Sequence, residues 1–141
     1  MYDNSGRVTR DGIRIHEPAD FAGMHKAGRV AAQILDDIAP HVFPGQTTGE
    51  IDRLITEMVA AHGSTSATIG YRGYQHASCI SVNHVVCHGI PGAKALKDGD
   101  ILNIDVTVIV DGWFGDTSRM YVAGNLSRKS ERLIQVTHDA L

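Results

Sequence analysis

The chain has 141 residues, of which 43% are hydrophobic and 21% charged, a balance typical of a globular domain with its own core. A net charge of −3 gives no electrostatic basis for nucleic-acid specificity or for binding an anionic membrane. Two cysteines make no disulfide framework, and no apolar stretch resembles a signal peptide or has membrane-spanning length, so we expect a cytoplasmic protein.

The first predicted helix follows a polar lead-in. Residues 1–17 carry both charge signs and show no apolar period, which predicts a flexible N-terminal segment. From Pro18 to Ile38 apolar residues recur at steps of three and four, which predicts an amphipathic helix that stops before Pro40. Its predicted apolar stripe consists of Phe21, Met24, Gly28, Ala31, Leu35 and Ile38.

A second amphipathic helix is predicted between Thr47 and Gly63. Thr47 and Glu50 fit a capping box at its start, and Gly63 fits the residue that follows a helix end. Its predicted stripe consists of Ile51, Leu54, Ile55, Met58, Val59 and His62.

Strands are predicted after the second helix. They lie at about residues 66–69, 77–82, 101–110 and 113–122, with glycine and proline turns between them. Two helices followed by antiparallel strands predict an α+β fold, in which the helices cover one face of a curved sheet. A last helix is predicted from an N-cap at Ser127. It reaches Leu141 without a stop signal, so we expect the chain to be cut within a helix.

The last two strands carry the residues that suggest chemistry. A two-residue turn at Asp111-Gly112 pairs Thr107 with Asp116 and places Asp105 diagonally from Asp116 on the same face. Diagonal neighbours on a face lie roughly 7–8 Å apart, a gap that one or two metal ions could bridge. Two carboxylates on one face repel each other unless a cation or a proton lies between them. The alternative is that one of them simply faces water at a sheet edge.

Three motifs in order resemble type I methionine aminopeptidases. Residues 78–92, SCISVNHVVCHGIPG, resemble the segment with that family's catalytic histidine, and NIDVT at 103–107 and GDTS at 115–118 resemble its two metal-binding aspartate motifs. The resemblance runs from about Pro18 to the last residue. It implies the N-terminal half of a pita-bread fold, with residues 18–141 as part of a catalytic domain whose other ligands lie outside this sequence.

The resemblance also implies cofactors and a substrate. Asp105 and Asp116 would bind two divalent metal ions, with Co, Mn, Fe and Zn all open. Asn83 and Val85 would offer carbonyl oxygens to a monovalent cation. The implied substrate is the N-terminal methionine of nascent polypeptides, with the ribosome as a candidate place of encounter. Thr107 and Ser118 share the face of the aspartates and are candidate hydrogen-bond donors to them.

The resemblance assigns further residues to catalysis and to a methionine pocket. His88 lies in a Gly-Ile-Pro-Gly loop, from which an imidazole could contact the substrate amide and assist proton transfer. Tyr71, Tyr74 and Cys79 fall where the family binds the methionine side chain, and aromatic rings and a thiol suit a thioether. Thr68 stands where some relatives have cysteine. His84 stands where some relatives have an acidic residue, and it receives no role.

Three functions remain open at this point. The first is a metal-dependent aminopeptidase, of which this chain alone would be inactive because ligands are absent. The second is a non-catalytic pita-bread fragment or binding module. The third is a peptidase of the X-Pro type, against which the sequence VVCHGIP at residues 85–91 favours the methionine enzyme.

Overall fold

The structure, a computed structural model, describes residues 7–141. Three helices and an antiparallel sheet make up the fold, which confirms the predicted α+β class. In chain order the helices are α1 (Pro18–Ile38), α2 (Thr48–Ala61) and α3 (Arg128–Asp139), and the strands are β1 (Thr65–Ser66), β2 (Ser78–Val82), β3 (Asp100–Val110) and β4 (Trp113–Ala123). Short 3₁₀ segments follow α1 at Ala39–His41 and precede β2 at Tyr71–Gly73.

Strand β3 is the centre of the sheet. Strand β4 pairs with it over its whole length, from Asp100 opposite Ala123 to Val110 opposite Trp113. Strands β1 and β2 pair with different stretches of β3, so that one long strand supports three others. All pairings are antiparallel.

The predicted strand at 66–69 is wrong beyond its first residue. Strand β1 ends at Ser66, whose Oγ accepts hydrogen bonds from the backbone N–H groups of Thr68 at 3.2 Å and Ile69 at 3.3 Å. A serine side chain that binds nearby backbone groups in this way competes with a sheet ladder and favours a turn. The chain therefore leaves the sheet after two residues.

The core lies between one face of the sheet and helices α1 and α2. Alternate residues of β3, namely Leu102, Ile104, Val106, Val108 and Val110, are buried there. Helix α2 contributes Ile51, Ile55 and Val59 from its predicted stripe, while Leu54 and Met58 are only partly buried. Since strand side chains alternate, the intervening residues of β3 face away from this core.

The predicted stripe of α1 is wrong at its N-terminal end. Phe21 and Met24 are each 46% exposed, and the buried residues are Ala27, Ala31, Ile34, Leu35 and Ile38. The helix backbone lies too close to the hairpin for large side chains. A Cβ built on Gly115 would lie 2.2 Å from the Ala27 carbonyl oxygen, and one on Gly23 would lie 2.3 Å from Trp113 Nε1. The contact between helix α1 and the hairpin is therefore formed by small residues.

The predicted helix ends are mostly confirmed. Thr47 Oγ1 accepts from Glu50 N at 3.1 Å, but the Glu50 carboxylate binds Arg53, so only half of the capping box forms. Gly63 has φ 65°, as a residue past a helix end should. Ser127 caps α3 through Ser130 N at 3.2 Å.

Two regions at the ends of the chain complete the fold. The predicted flexible segment 1–17 lies outside the described residues over positions 1–6, while Val8 and Arg14 form a β-bridge. Helix α3 buries none of its residues, and Leu133 and Val136 are 59% and 57% exposed. Among residues 7–141, each helix is too short or too polar to cross a bilayer.

Candidate active site and metal centre

The β3–β4 hairpin brings two aspartates to the open face of the sheet. Asp111 and Gly112 have φ values of 49° and 84°, the left-handed pair that a type I′ turn requires. Thr107 is opposite Asp116, and Asp105 is opposite Ser118, as the two-residue turn predicts. Asp116 is therefore the diagonal neighbour of Asp105.

The two carboxylates interact electrostatically. The pKa of Asp105 is raised, mainly by burial and then by the negative charge of Asp116 and a hydrogen bond with it, while His88 lowers it. Burial and a like charge both disfavour the ionised form of a carboxyl. A cation between the two groups would relieve this cost.

The loop after β2 holds His88 near the aspartates. His88 has φ 54°, a left-handed backbone that is uncommon for a residue with a Cβ. The next residue, Gly89, is hydrogen-bonded to β2. Its N–H donates to Ser81 Oγ at 3.1 Å, and its carbonyl accepts from Ile80 N at 2.8 Å. A Cβ on Gly89 would lie 2.2 Å from the Ile80 carbonyl oxygen, so only glycine permits this contact.

A cavity of ≈ 690 Å³ opens in front of the hairpin face. It brings together all six residues that the sequence assigned to catalysis, substrate and metal. The lining consists of Ala67, Thr68, Tyr71, Arg72, Gly73, Tyr74, Cys79, His88, Asp105, Thr107, Phe114 and Asp116. The volume is within the range of small-ligand sites.

One wall of the cavity consists of aromatic and sulfur groups. Tyr74 donates its hydroxyl hydrogen to the Ser78 carbonyl oxygen at 2.9 Å, and Cys79 Sγ lies 3.5 Å from the same hydroxyl oxygen. Burial, and next a hydrogen bond from Cys79, raise the pKa of Tyr74, so its phenol stays neutral. Tyr71 is 65% exposed at the rim, with the Arg72 guanidinium 5.5 Å from its ring centroid.

Sequence reasoning missed two lining residues that carry large side chains. Phe114 lies two residues before Asp116 on β4, so the strand alternation that placed Asp116 also places Phe114 on the open face. Arg72 has φ 48° between Gly70 and Gly73, which are both left-handed. No sequence pattern signals that a non-glycine residue adopts this conformation.

The remaining predicted residues fall in different places. Thr107 lines the cavity, whereas Ser118 Oγ accepts from Asn103 Nδ2 at 3.2 Å rather than binding an aspartate. The Asn83 side chain donates from Nδ2 to Asp100 Oδ1 at 2.8 Å, and its Oδ1 accepts from Ile101 N at 3.1 Å. Only backbone carbonyls are therefore left for a cation there. His84 lines a separate cavity against helix α3.

The residues present fit part of a divalent-metal site. Asp105 and Asp116 supply hard oxygen ligands in a region of excess negative charge that opens into a cavity. In the part of the chain that the structure describes, no three or more His, Cys, Asp or Glu side chains converge as a metal-binding group. The two aspartates would thus supply only part of the ligand set that such a site needs.

The sequence and the fold both match known peptidases. Residues 22–141 match the model of metallopeptidase family M24. Methionine aminopeptidase of Rickettsia prowazekii is 52% identical over 129 residues, which cover 92% of this chain and 50% of that protein. Methionine aminopeptidase of Escherichia coli K12 is 51% identical over 131 residues, with the same two shares. The chain therefore spans about half the length of these curated relatives.

Solved structures give the same result. The crystal structure of the Rickettsia prowazekii methionine aminopeptidase superposes with a TM-score of 0.88 over 90% of this chain and 51% of that one. A prolidase from Pyrococcus furiosus, 17% identical, superposes with a TM-score of 0.77 and shares the fold alone. The chain belongs to metallopeptidase family M24, and its fold is about half of the pita-bread fold of methionine aminopeptidases.

Proposed function

We propose that this chain supplies the first part of the active site of a metal-dependent methionine aminopeptidase. Residues 18–141 would be the N-terminal portion of its catalytic domain, and the complete enzyme would have about the length of the relatives. The observation that carries the proposal is the convergence of Asp105, Asp116 and His88 on one cavity with a tyrosine and cysteine wall. The enzyme would act in the cytoplasm on the N-terminal methionine of nascent polypeptides, with the ribosome as a place of encounter.

Asp105 and Asp116 are the proposed ligands of two divalent metal ions, Co, Mn, Fe or Zn. Such ions lower the pKa of bound water and polarise a peptide carbonyl. The contribution of this chain is to hold two carboxylates on a rigid, fully paired hairpin. The remaining ligands would come from the half of the relatives that this chain does not span. A monovalent cation at the backbone carbonyls of Asn83 and Val85 is part of the same proposal.

His88 is the proposed group that contacts the substrate. Its side chain is exposed at the cavity while its backbone is fixed through Gly89, so the imidazole can reach a peptide without local rearrangement. In that position it would hydrogen-bond the substrate amide and assist proton transfer to the leaving nitrogen.

The wall formed by Tyr71, Tyr74 and Cys79 is the proposed pocket for the methionine side chain. Aromatic faces and a thiol are polarizable partners for a thioether. The phenol of Tyr74 stays neutral because burial raises its pKa. An apolar thioether could therefore pack against the Tyr74 ring without displacing a hydrated ion from it.

Metal content and methionine release from the complete enzyme test the proposal. Asp105→Asn and Asp116→Asn should lose metal and activity together, by about a thousandfold or more in turnover, because several kcal/mol of polarisation is lost. Asp111→Asn is the matched control, since Asn-Gly also forms a type I′ turn and only the ion pair with Lys26 at 2.6 Å is removed. Full activity in either of the first two variants would contradict the assignment.

The same assay separates the role of His88 from that of the aspartates. His88→Ala should keep the metal and lose about a hundredfold in turnover, because general acid–base assistance is removed. His84→Ala, a neighbouring exposed histidine outside the main cavity, should retain turnover. A His88→Ala protein isolated without metal would instead make His88 a ligand.

The partial ligand set favours a second possibility, that this chain by itself is a non-catalytic module. We expect the 141-residue chain to release no methionine from a Met-Ala-Ser peptide with added Mn or Co, because two carboxylates hold metal weakly. Release that persists in an Asp116→Ala control would come from host enzyme. Release that the control abolishes would show that this chain is sufficient, and an X-Pro dipeptide in the same assay tests the third function.

A further inference from the structure

A buried carboxylate outside the cavity joins helix α2 to the start of strand β2. Asp52 is only 6% exposed. Its Oδ1 accepts from Ser78 N at 2.9 Å and from Ser78 Oγ at 2.8 Å, and its Oδ2 lies 2.9 Å from His76 Nδ1. A carboxylate accepts hydrogen bonds, so this contact favours the His76 tautomer that carries a proton on Nδ1. Such a group is tolerated in the interior only when donors compensate its lost hydration.

The partners of Asp52 are the residues that hold the wall of the cavity. The carbonyl of Ser78 accepts the hydroxyl hydrogen of Tyr74 at 2.9 Å, and Cys79 is the next residue along β2. The His76 ring meets the Tyr74 ring edge-on, with centroids 5.5 Å apart and an interplanar angle of 66°. Tyr74 is thus held at its hydroxyl by Ser78 and along its ring by His76.

His76 also closes the loop that forms the rest of the wall. Its carbonyl accepts from Thr68 Oγ1 at 2.7 Å, and Thr68 lines the cavity. Within the same loop, Gly70 N donates to the Tyr74 carbonyl at 2.7 Å. A shift of His76 would therefore be transmitted to both sides of the wall.

We propose that Asp52 and His76 are positioning residues for the methionine pocket. The proposal rests on the proposed function, and it concerns two residues that do not line the cavity themselves. They act through Tyr74 and Cys79, whose positions set the shape of the pocket. They do not contact Asp105, Asp116 or His88, so they should affect binding of the methionine side chain rather than the chemical step.

The chain contains a matched control pair. His62 Nε2 lies 3.0 Å from Asp37 Oδ2, where the end of α2 meets α1. This pair has the same chemistry and neither residue lines the cavity. Replacement of His62 removes a histidine–aspartate contact and leaves the contacts of the cavity wall unchanged.

Thiol labelling of the 141-residue chain tests the proposal without any need for activity. Cys79 is half-buried in the wall and Cys87 is exposed, so the ratio of their alkylation by iodoacetamide, read by mass spectrometry, has an internal reference. His76→Ala should raise the Cys79-to-Cys87 ratio by about tenfold, since a hydrogen bond to a charged group is lost. His62→Ala should leave the ratio unchanged. Equal ratios in wild type and His76→Ala would overturn the proposal.

A conservative replacement distinguishes positioning from general loss of stability. His76→Asn places an amide N–H near the position of Nδ1 and can still donate to Asp52, so it should restore the wild-type ratio. If His76→Asn labels as fast as His76→Ala, although both remain folded by circular dichroism, the hydrogen bond to Asp52 does not position the wall and the proposal fails.

Kinetics of the complete enzyme on a methionine peptide complete the test. His76→Ala should raise KM by about tenfold with kcat within about twofold, because ground-state and transition-state binding fall equally. A fall in kcat at unchanged KM would overturn the positioning role. An inactive wild-type enzyme would contradict the proposed function alone, since the labelling result stands without it.

Discussion

The two faces of strand β3 differ in what they contribute. On one face Leu102, Ile104 and Val108 are each 0% exposed against the helices. On the other, Asp105 and Thr107 open into the cavity beside Asp116. Apolar burial on the first face stabilises the folded chain, whereas the second face carries carboxylates whose mutual repulsion destabilises it. One strand thus holds the proposed site residues on one face because its other face is well packed.

The largest effect should come from the packed face. Ile104→Ala should lower the free energy of unfolding by about 3 kcal/mol, because a fully buried side chain is replaced by a cavity. Ile109→Ala, on the opposite face and only partly buried, is the matched control and should cost about 1 kcal/mol. Urea unfolding of both variants measures the difference, and equal losses would show that the two faces are not distinct.

A smaller effect should appear where α1 crosses the hairpin. Gly115→Ala should cost about 2 kcal/mol, since its new Cβ would meet the Ala27 carbonyl oxygen and the helix would have to move. Gly28→Ala is the control on the facing helix, where a Cβ meets nothing within 4 Å. It should stabilise the chain by about 0.5–1 kcal/mol through helix propensity. Opposite signs in thermal unfolding support the close approach, and a neutral Gly115→Ala contradicts it.

The hairpin could be predicted from sequence because its geometry is local. A two-residue Asp-Gly turn fixes the register of every pair that follows, so Asp105 and Asp116 could be placed on one face from the sequence alone. The same rule places Phe114. The proposed metal-binding roles of the aspartates came from family resemblance, since spacing alone left open the alternative that one of them faces water.

Other parts of the molecule depend on contacts between distant segments. The turn after Ser66 depends on a side-chain hydroxyl that replaces the ladder, and the face of α1 depends on how closely Gly115 approaches Ala27. The hydrogen bonds between Asp52 and Ser78 join residues 26 positions apart in the chain. No periodicity within a short window contains this information.

The smallest change in the free energy of unfolding should come from the open face. A substitution there should stabilise the chain, whereas Ile104→Ala and Gly115→Ala should destabilise it. Because the pKa of Asp105 is raised in the folded chain, mainly by burial and then by Asp116, ionisation of this carboxyl is less favourable when folded. The protonated carboxyl of Asp105 therefore contributes to the stability of the folded chain. This contribution is complete below the unfolded pKa of about 3.9 and is lost as the pH rises through the folded pKa. Wild type therefore carries an unfavourable charge at neutral pH that Asp105→Asn does not.

Without metal, Asp105→Asn should stabilise the 141-residue chain at pH 7 by less than about 1 kcal/mol, a figure kept low because the carboxyl is partly exposed and screened. At a pH well below 4 the two proteins should unfold alike, since wild-type Asp105 is then neutral as well. Urea unfolding across this pH range measures the difference, and Asp111→Asn, on the exposed turn, shows how much any removed charge contributes. A stability difference that is absent at pH 7, or that grows toward acid, would mean that the open face carries no cost. A difference of the expected sign would show that the residues proposed to bind metal destabilise the chain that holds them.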